Sequence, residues 1–180
     1  GETLDMAQLQ EIWEAKLEPV YPYRKAGPTV EPITGSLTAP AAPKIGVAKP
    51  KVIIPVFPGT NCEYDTAKAF ARAGADPEIL VIRNLTPADV TASCEALVKA
   101  IDNSQIVMLP GGFSGGDEPD GSAKFIASFF RSPAVTEAVR DLLQHRDGLM
   151  LGICNGFQAL IKLGLVPYGD IRPITAYDPT

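Results

Sequence analysis

The sequence predicts an α/β protein built on a parallel sheet with helices on both faces. Three observations lead there. From Lys51 onward, four short apolar runs (52–57, 78–82, 105–109 and 148–151) read as strands, the first with the texture of one buried on both sides. Segments with apolar residues at a 3.6-residue period alternate with them, giving the order β-α-β-α-β-α-β-α. The junctions carry the Gly, Pro, Asn and Thr that turns and helix caps require. Right-handed winding of such a chain places ligand chemistry beyond the carboxyl ends of the strands.

The elements follow in order. Residues 1–17 read as an amphipathic helix, with Leu9, Ile12, Trp13 and Leu17 on one stripe, Asp5 and Glu11 early, and Lys16 late. Pro19 and Pro22 end it. Residues 18–50 have no period of 2 or 3.6, and nine of the 17 prolines fall between Pro19 and Pro58, so this stretch reads as an extended connector. Val52-Ile53-Ile54-Pro55-Val56-Phe57 opens the α/β domain, and Pro58-Gly59-Thr60 turns the chain. Asn61 is the expected cap of the next helix, Glu63 and Asp65 its acidic first turn, Ala67, Phe70, Ala71 and Ala73 its buried stripe, and Gly74 its C′ residue. Glu78-Ile79-Leu80-Val81-Ile82 forms a strand. Thr86-Pro87 opens a helix with Cys94, Leu97, Val98 and Ile101 facing inward. The third strand, Gln105 to Leu109, runs into Pro110 and a glycine-rich loop. Helical material over 122–145 breaks near Ser132-Pro133. A fourth strand leads to a helix beginning near Asn155 and ending by Gly164. Loops 58–62, 110–121 and 152–156 thus share the carboxyl edge of the sheet.

Composition narrows the function classes. Apolar residues make up 46% and charged residues 21%, which excludes a mainly disordered chain. A net charge of -5 with no Lys/Arg cluster leaves no electrostatic footprint for nucleic acid or an anionic membrane. No run approaches the ~18 apolar residues of a membrane span. Three cysteines without framework spacing point to thiols in a reducing, cytoplasmic setting. They and the single histidine have no metal-ligand spacing, so no metal is expected. Gly1 in place of an initiator Met, and an end at Asp178-Pro179-Thr180 without helix-stop or tail character, lead to the expectation that both ends continue in a longer protein.

The sharpest chemical signal is Gly152-Ile153-Cys154-Asn155-Gly156-Phe157-Gln158. A strand ends, one reactive side chain follows, a helix starts, and small residues flank the reactive one at two positions on either side. That is the pattern of a nucleophile elbow with Cys in the nucleophile's place. A thiolate there is stabilised by the open N–H groups and dipole of the helix. The amide of Asn155 is placed to donate to an oxyanion. The plain alternative, a buried Cys acting as a small apolar residue, does not account for the flanking glycines. The loop Pro110-Gly111-Gly112-Phe113-Ser114-Gly115-Gly116-Asp117 lies on the same edge, and its paired glycines let the Gly112 N–H face a substrate as a second oxyanion donor. A phosphate loop is opposed by the missing P-loop Lys and by Asp117, Glu118 and Asp120. A flexible crossover loop is the bland reading.

Cys62 is the rival nucleophile. It lacks the symmetric small flanks, and Glu63 and Asp65 disfavour a thiolate beside them, so its expected place is the crevice rim. Cys94 faces the core. His145 precedes the fourth strand while Cys154 follows it. Roughly six residues at ~3.3 Å each separate them by about 20 Å. Proton transfer needs about 3 Å, so His145 is expected to be a solvated side chain rather than the base.

The motifs at residues 57–62, 110–114 and 152–158, in that order, resemble those of the class I (triad) glutamine amidotransferase domain of phosphoribosylformylglycinamidine synthases. The resemblance runs from about Lys51 to the C-terminus. It implies a flavodoxin-like three-layer sandwich with a mostly parallel sheet, here truncated. It implies that Cys154 attacks the side-chain amide of glutamine to give a thioester and ammonia, and that the amides of Gly112 and Asn155 form the oxyanion hole. Gln158, with Gly111 and Phe113, is implied to bind substrate. The family's catalytic His and Glu lie far downstream of the nucleophile and have no counterpart before Thr180. The chain is therefore expected to be inactive alone and to need the C-terminal part of the glutaminase domain. An exposed sheet edge where the next strand belongs would favour that association. Leu17-Glu18-Pro19-Val20 resembles the tail of a preceding synthetase portion, which would make 1–17 the end of that portion, 18–50 a linker and 51–180 the glutaminase part. In such an enzyme the released ammonia is used with ATP and magnesium at the synthetase site; no cofactor is expected in this chain. The alternatives are another Cys-elbow hydrolase or chaperone-like protein of the same superfamily, and a non-catalytic subunit whose acidic loop at 117–120 contacts a partner.

Overall fold

The computed structural model describes residues 3–22, 27, 46–115, 117 and 122–173. The chain divides into two units, 1–40 and 41–180. Most of the connector expected over 18–50 lies outside the described residues, as do 118–120 of the acidic loop.

In the first unit the helix is α1, Met6–Ala15, shorter at both ends than the expected 1–17. It begins where Asp5 caps it: one carboxylate oxygen accepts from the N–H groups of Ala7 (2.9 Å) and Gln8 (3.2 Å). Its apolar stripe, including Ile12 and Trp13, is exposed.

The second unit is a four-stranded parallel sheet. Strand β1 (Lys51–Val56) pairs with β2 (Asp76–Val81) on one side and β3 (Ile106–Leu109) on the other; β4 (Leu149–Gly152) pairs with β3. The order β2-β1-β3-β4 is that of the first four strands of a flavodoxin-like sheet. The helices are α2 (Glu63–Arg72), α3 (Pro87–Asp102), α4 (Lys124–Phe130), α5 (Pro133–Arg140) continued by a π-helical turn (Asp141–His145), α6 (Asn155–Leu163) and α7 (Leu165–Tyr168). Among the described residues no helix is long and apolar enough to cross a membrane.

Topology dictates which face each helix covers. The step from β1 to β2 goes one way across the sheet, and the step from β2 to β3 passes back over β1. Right-handed connections in both senses put α2 and α3 on opposite faces. The step to β4 continues in the same direction, so α4 and α5 join α3. The larger core accordingly lies on the α3 side, where Ile53, Phe57, Val107 and Leu109 meet Leu97, Ile101, Ile126, Phe130 and Val139. Phe57 anchors it edge-on to Phe125 and Phe129, with ring centroids 5.7 and 5.5 Å away. On the other face α2 alone covers Val52, Ile54 and Met108. Beyond its reach Leu149, Leu151 and Ile153 are exposed, and a groove lined by Ala69, Phe70, Ala73, Met108, Leu151 and Ile153 runs beside β4.

Several local expectations hold. Thr86 caps α3 with Pro87 at its first position, Leu97 and Ile101 are fully buried with Cys94 and Val98 packed beside them, and Gly74 (φ +90) follows α2; Asp89 adds a capping box to Thr86. Two need correction. The cap of α2 is Cys62 rather than Asn61, because the Asn61 N–H is bound to the Gly111 carbonyl (2.8 Å) and its side chain accepts from the Cys62 N–H (2.8 Å). The α2 stripe is narrower than expected: Ala67 and Phe70 are half-buried while Ala71 and Ala73 face solvent, since only one flank of α2 has a sheet to lie on.

Candidate functional site

Three loops converge at the carboxyl edge, where β1 and β3 form the topological switch point of the sheet. The loops after β1 and β3 are zipped by backbone hydrogen bonds. The N–H of Asn61 donates to the Gly111 carbonyl (2.8 Å), that of Phe113 to the Gly59 carbonyl (3.0 Å) and that of Gly115 to the Pro58 carbonyl (2.7 Å). Thr60 and Gly112 form an isolated antiparallel bridge. Two glycines make this approach possible. Gly112 has φ +130, and a Cβ there would lie 2.5 Å from the Gly59 carbonyl oxygen; a Cβ on Gly59 would overlap the Phe113 carbonyl. The Gly112 N–H takes no part in the zipper bonds named here.

The third loop is the elbow. β4 ends at Gly152, Ile153 donates its N–H to the Leu109 carbonyl (3.1 Å), and α6 starts at Asn155. Between them Cys154 holds φ +53 and ψ −111, a region avoided by residues with a Cβ. Such a corner projects its side chain away from both strand and helix, and Cys154 is exposed. Close packing underneath fixes the corner: a Cβ on Gly156 would overlap the Leu109 carbonyl. A Cβ on buried Gly111 would sit 3.4 Å from the Cys154 Cβ, so the glycine loop lies directly against the nucleophile candidate.

The structure thus brings Cys154, Gly111, Gly112, Asn155 and Gln158 together. Gln158 lies one turn along α6, exposed, with its N–H on the Cys154 carbonyl (3.0 Å). Phe113 belongs to the same loop, and its ring is 84% exposed, so it stands at the rim rather than in a formed pocket. Cys62, exposed at the start of α2 with φ +71, takes the other rim. His145 is at the opposite end of β4, 72% exposed, with Nδ1 3.3 Å from the Asp141 carboxylate. Among the described residues no group of three or more His, Cys, Asp or Glu side chains is placed to hold a metal ion.

One part of the site escaped the sequence reading. The Asn155 side chain, on a residue only 2% exposed, accepts from the Ser114 N–H (3.4 Å) and donates to Asp117 (3.0 Å) and to Gln158 Oε1 (3.2 Å). The other Asp117 oxygen accepts from the Ser114 hydroxyl (3.0 Å) and the Ala123 N–H (2.7 Å). A carboxylate read only as a charge in an acidic loop is therefore the knot that ties the glycine loop, the elbow helix and the start of α4.

Residues 49–180 match the family model of the CobB/CobQ-like glutamine amidotransferase domain. Among curated proteins the chain is similar to the phosphoribosylformylglycinamidine synthase subunit PurQ of Dehalococcoides mccartyi (36% identical over 121 residues, 67% of this chain and 43% of the relative). The PurQ subunits of Cereibacter sphaeroides (41% over 122 residues, 68% and 46%) and Pyrococcus furiosus (36% over 123 residues, 68% and 45%) are also similar. A solved structure titled "Structure of PurLQS from Thermotoga maritima" aligns with a TM-score of 0.46 at 27% identity, over 65% of this chain and 45% of that one. The chain spans less than half the length of these relatives.

Proposed function

The chain belongs to the CobB/CobQ-like glutamine amidotransferase family, and from that premise we propose that it is part of the glutaminase of a phosphoribosylformylglycinamidine synthase. The observation that carries the reading is the strained elbow of Cys154 packed against the zipped Gly111-Gly112 loop. The Cys154 thiolate adds to the side-chain amide carbon of glutamine. Negative charge moves to the former carbonyl oxygen, where the N–H groups of Gly112 and Asn155 meet it in fixed directions. Collapse of the adduct breaks the C–N bond; the nitrogen takes up a proton and leaves as ammonia. Water then cleaves the thioester to glutamate and regenerates the thiol. Gln158, Gly111 and Phe113 bind the glutamine.

The proton donor is not His145, which sits across the length of β4 from the thiol. The His and Glu of the triad come from the remaining part of the glutaminase domain, so this chain by itself does not turn over glutamine. The bare apolar face of Leu149, Leu151 and Ile153, next to the open edge of β4, is the surface that part would cover. The ammonia passes to a synthetase partner in the cytoplasm. There, with the ATP and magnesium of that partner, it converts formylglycinamide ribonucleotide to formylglycinamidine ribonucleotide. Residues 1–17 are the tail of that synthetase portion and 18–50 its linker.

Covalent labelling of the complete protein with 6-diazo-5-oxonorleucine, followed by peptide mapping, tests the reading. Label on Cys154 that excess glutamine blocks is the expected result, with the label lost from the isolated chain. Label on Cys62, or label indifferent to glutamine, overturns it in favour of a non-catalytic module.

A further inference from the structure

Each end of the Asn155 amide meets a partner of fixed character. The Ser114 N–H can only donate, so it requires Oδ1; the Asp117 carboxylate can only accept, so it requires Nδ2. Burial keeps water from substituting for either. The second Nδ2 hydrogen then points at the Gln158 side chain, 3.2 Å away, and only an oxygen can receive it. Gln158 therefore turns Oε1 inward, and its Nε2 is the end left for the crevice, one helical turn from the thiol. Asp117 is itself held on its other oxygen by the Ser114 hydroxyl and the Ala123 N–H. The order of constraint runs from the α4 start to Asp117, to Asn155, to Gln158.

We propose that Asp117 is a positioning residue that acts through Asn155 to fix the Gln158 amide as a hydrogen-bond donor toward the substrate. The site then selects a ligand that presents an acceptor, a carbonyl or carboxylate oxygen, at that point. A ligand presenting an ammonium or an N–H there meets a second donor and is rejected. The proposal rests on the glutaminase reading of the site, within which it assigns Gln158 a direction and Asp117 a task.

Asp117→Asn is the direct perturbation. The aspartate oxygens accept from three donors, all of them on backbone or buried groups. Whichever way an asparagine turns at this position, its NH2 faces one of them. The complete protein is treated in parallel with 6-diazo-5-oxonorleucine, which occupies the glutamine site, and with iodoacetamide, which needs only the thiol. Asp117→Asn is expected to raise the half-saturating concentration of the glutamine mimic, and that of protecting glutamine, about tenfold, the worth of one charge-assisted hydrogen bond. Alkylation by iodoacetamide keeps its rate within about twofold. Gln158→Ala costs a similar factor, and adding Asp117→Asn to it costs nothing more. Equal loss with both reagents, or losses that multiply in the double variant, overturns the relay. Gln158→Glu supplies a variant that leaves the Asp117–Asn155 bond intact on an exposed residue. It offers an oxygen where the amide offered N–H, and wild-type affinity for glutamine in that variant overturns the donor assignment. Absence of any glutamine-protected label in the wild-type protein removes the glutaminase reading and the proposal together, an outcome distinct from the others.

Discussion

The backbone of Cys154 stores energy that a single substitution releases. Its φ of +53 and ψ of −111 mirror the first central residue of a type II turn, a corner that Gly enters freely and that costs a residue with a Cβ about 1–3 kcal/mol. Cys154→Gly removes that cost. Against it stands the greater backbone entropy glycine loses on folding, about 0.5–1 kcal/mol. The thiol is exposed, so little burial is given up. The balance is a gain of about 1 kcal/mol, which raises the melting temperature of a domain this size by about 3 °C. Cys154→Ala is the control: it removes the same sulfur but keeps the Cβ, and is expected within about 0.5 kcal/mol of wild type. Urea unfolding followed by circular dichroism separates the three proteins, provided their m-values agree. Both variants lose covalent labelling at this position, so stability and reactivity move apart. A glycine variant no more stable than the alanine variant would refute the claim that the elbow is strained.

Gly156→Ala has the opposite sign from an ordinary Gly-to-Ala change in a helix. Its Cβ lands on the Leu109 carbonyl, which is held by the Ile153 N–H, so a loss above about 3 kcal/mol is expected in place of a gain near 1 kcal/mol, read from the urea midpoint. Thr86→Ala opens the capping box of α3 and costs about 1 kcal/mol in the same assay, while Thr86→Ser stays close to wild type. Arg140 bonds to the Asp170 carboxylate (2.8 Å) and holds its pKa below the usual value. A lowered native pKa means the pair stabilises the fold at neutral pH and that this contribution is lost as the pH falls through the native value. Asp170→Asn is accordingly expected to lower the melting temperature at pH 6, and the gap to wild type to start narrowing below about pH 4 and to close beneath the lowered native value.

What was legible in the sequence follows the range of the interactions. The strands were legible because a run such as Val52-Ile53-Ile54 has no other way to bury every side chain. The start of α3 was legible because Thr86-Pro87 marks it within two residues; the capping partner Asp89 was not read. The elbow was legible because its steric demands fall on neighbours, Gly152 and Gly156, within the same seven residues. The cap of α2 was misread because Asn61 is claimed by Gly111, fifty residues on, through a backbone bond that no side chain announces. The α2 stripe was misread because alanines carry too little apolar area to decide which side of a helix turns inward. Asp117 escaped for the same reason of range. Its partner Asn155 is separated from it by 38 residues, and in the sequence it stands among other acids that describe a solvated loop equally well.

The same separation by range divides the site's work. On the proposed reading the oxyanion donors are backbone N–H groups, held by the zipper between residues 58–61 and 111–115 and by glycine contacts. Nothing in that scaffold waits for a proton donor. The directions of the Gly112 and Asn155 amides are set by the bond from Phe113 to Gly59 and by the start of α6, both part of the folded core. On that reading the His and Glu that would activate the thiol are not among the described residues of the crevice, and the uncovered surface beside β4 lies on the strand that leads to Cys154. An element packing on Leu149, Leu151 and Ile153 would lie along the strand that leads to the thiol. On the proposed reading charge stabilisation rests on backbone already fixed by the core, and proton transfer is the task of the part of the glutaminase that would cover that face.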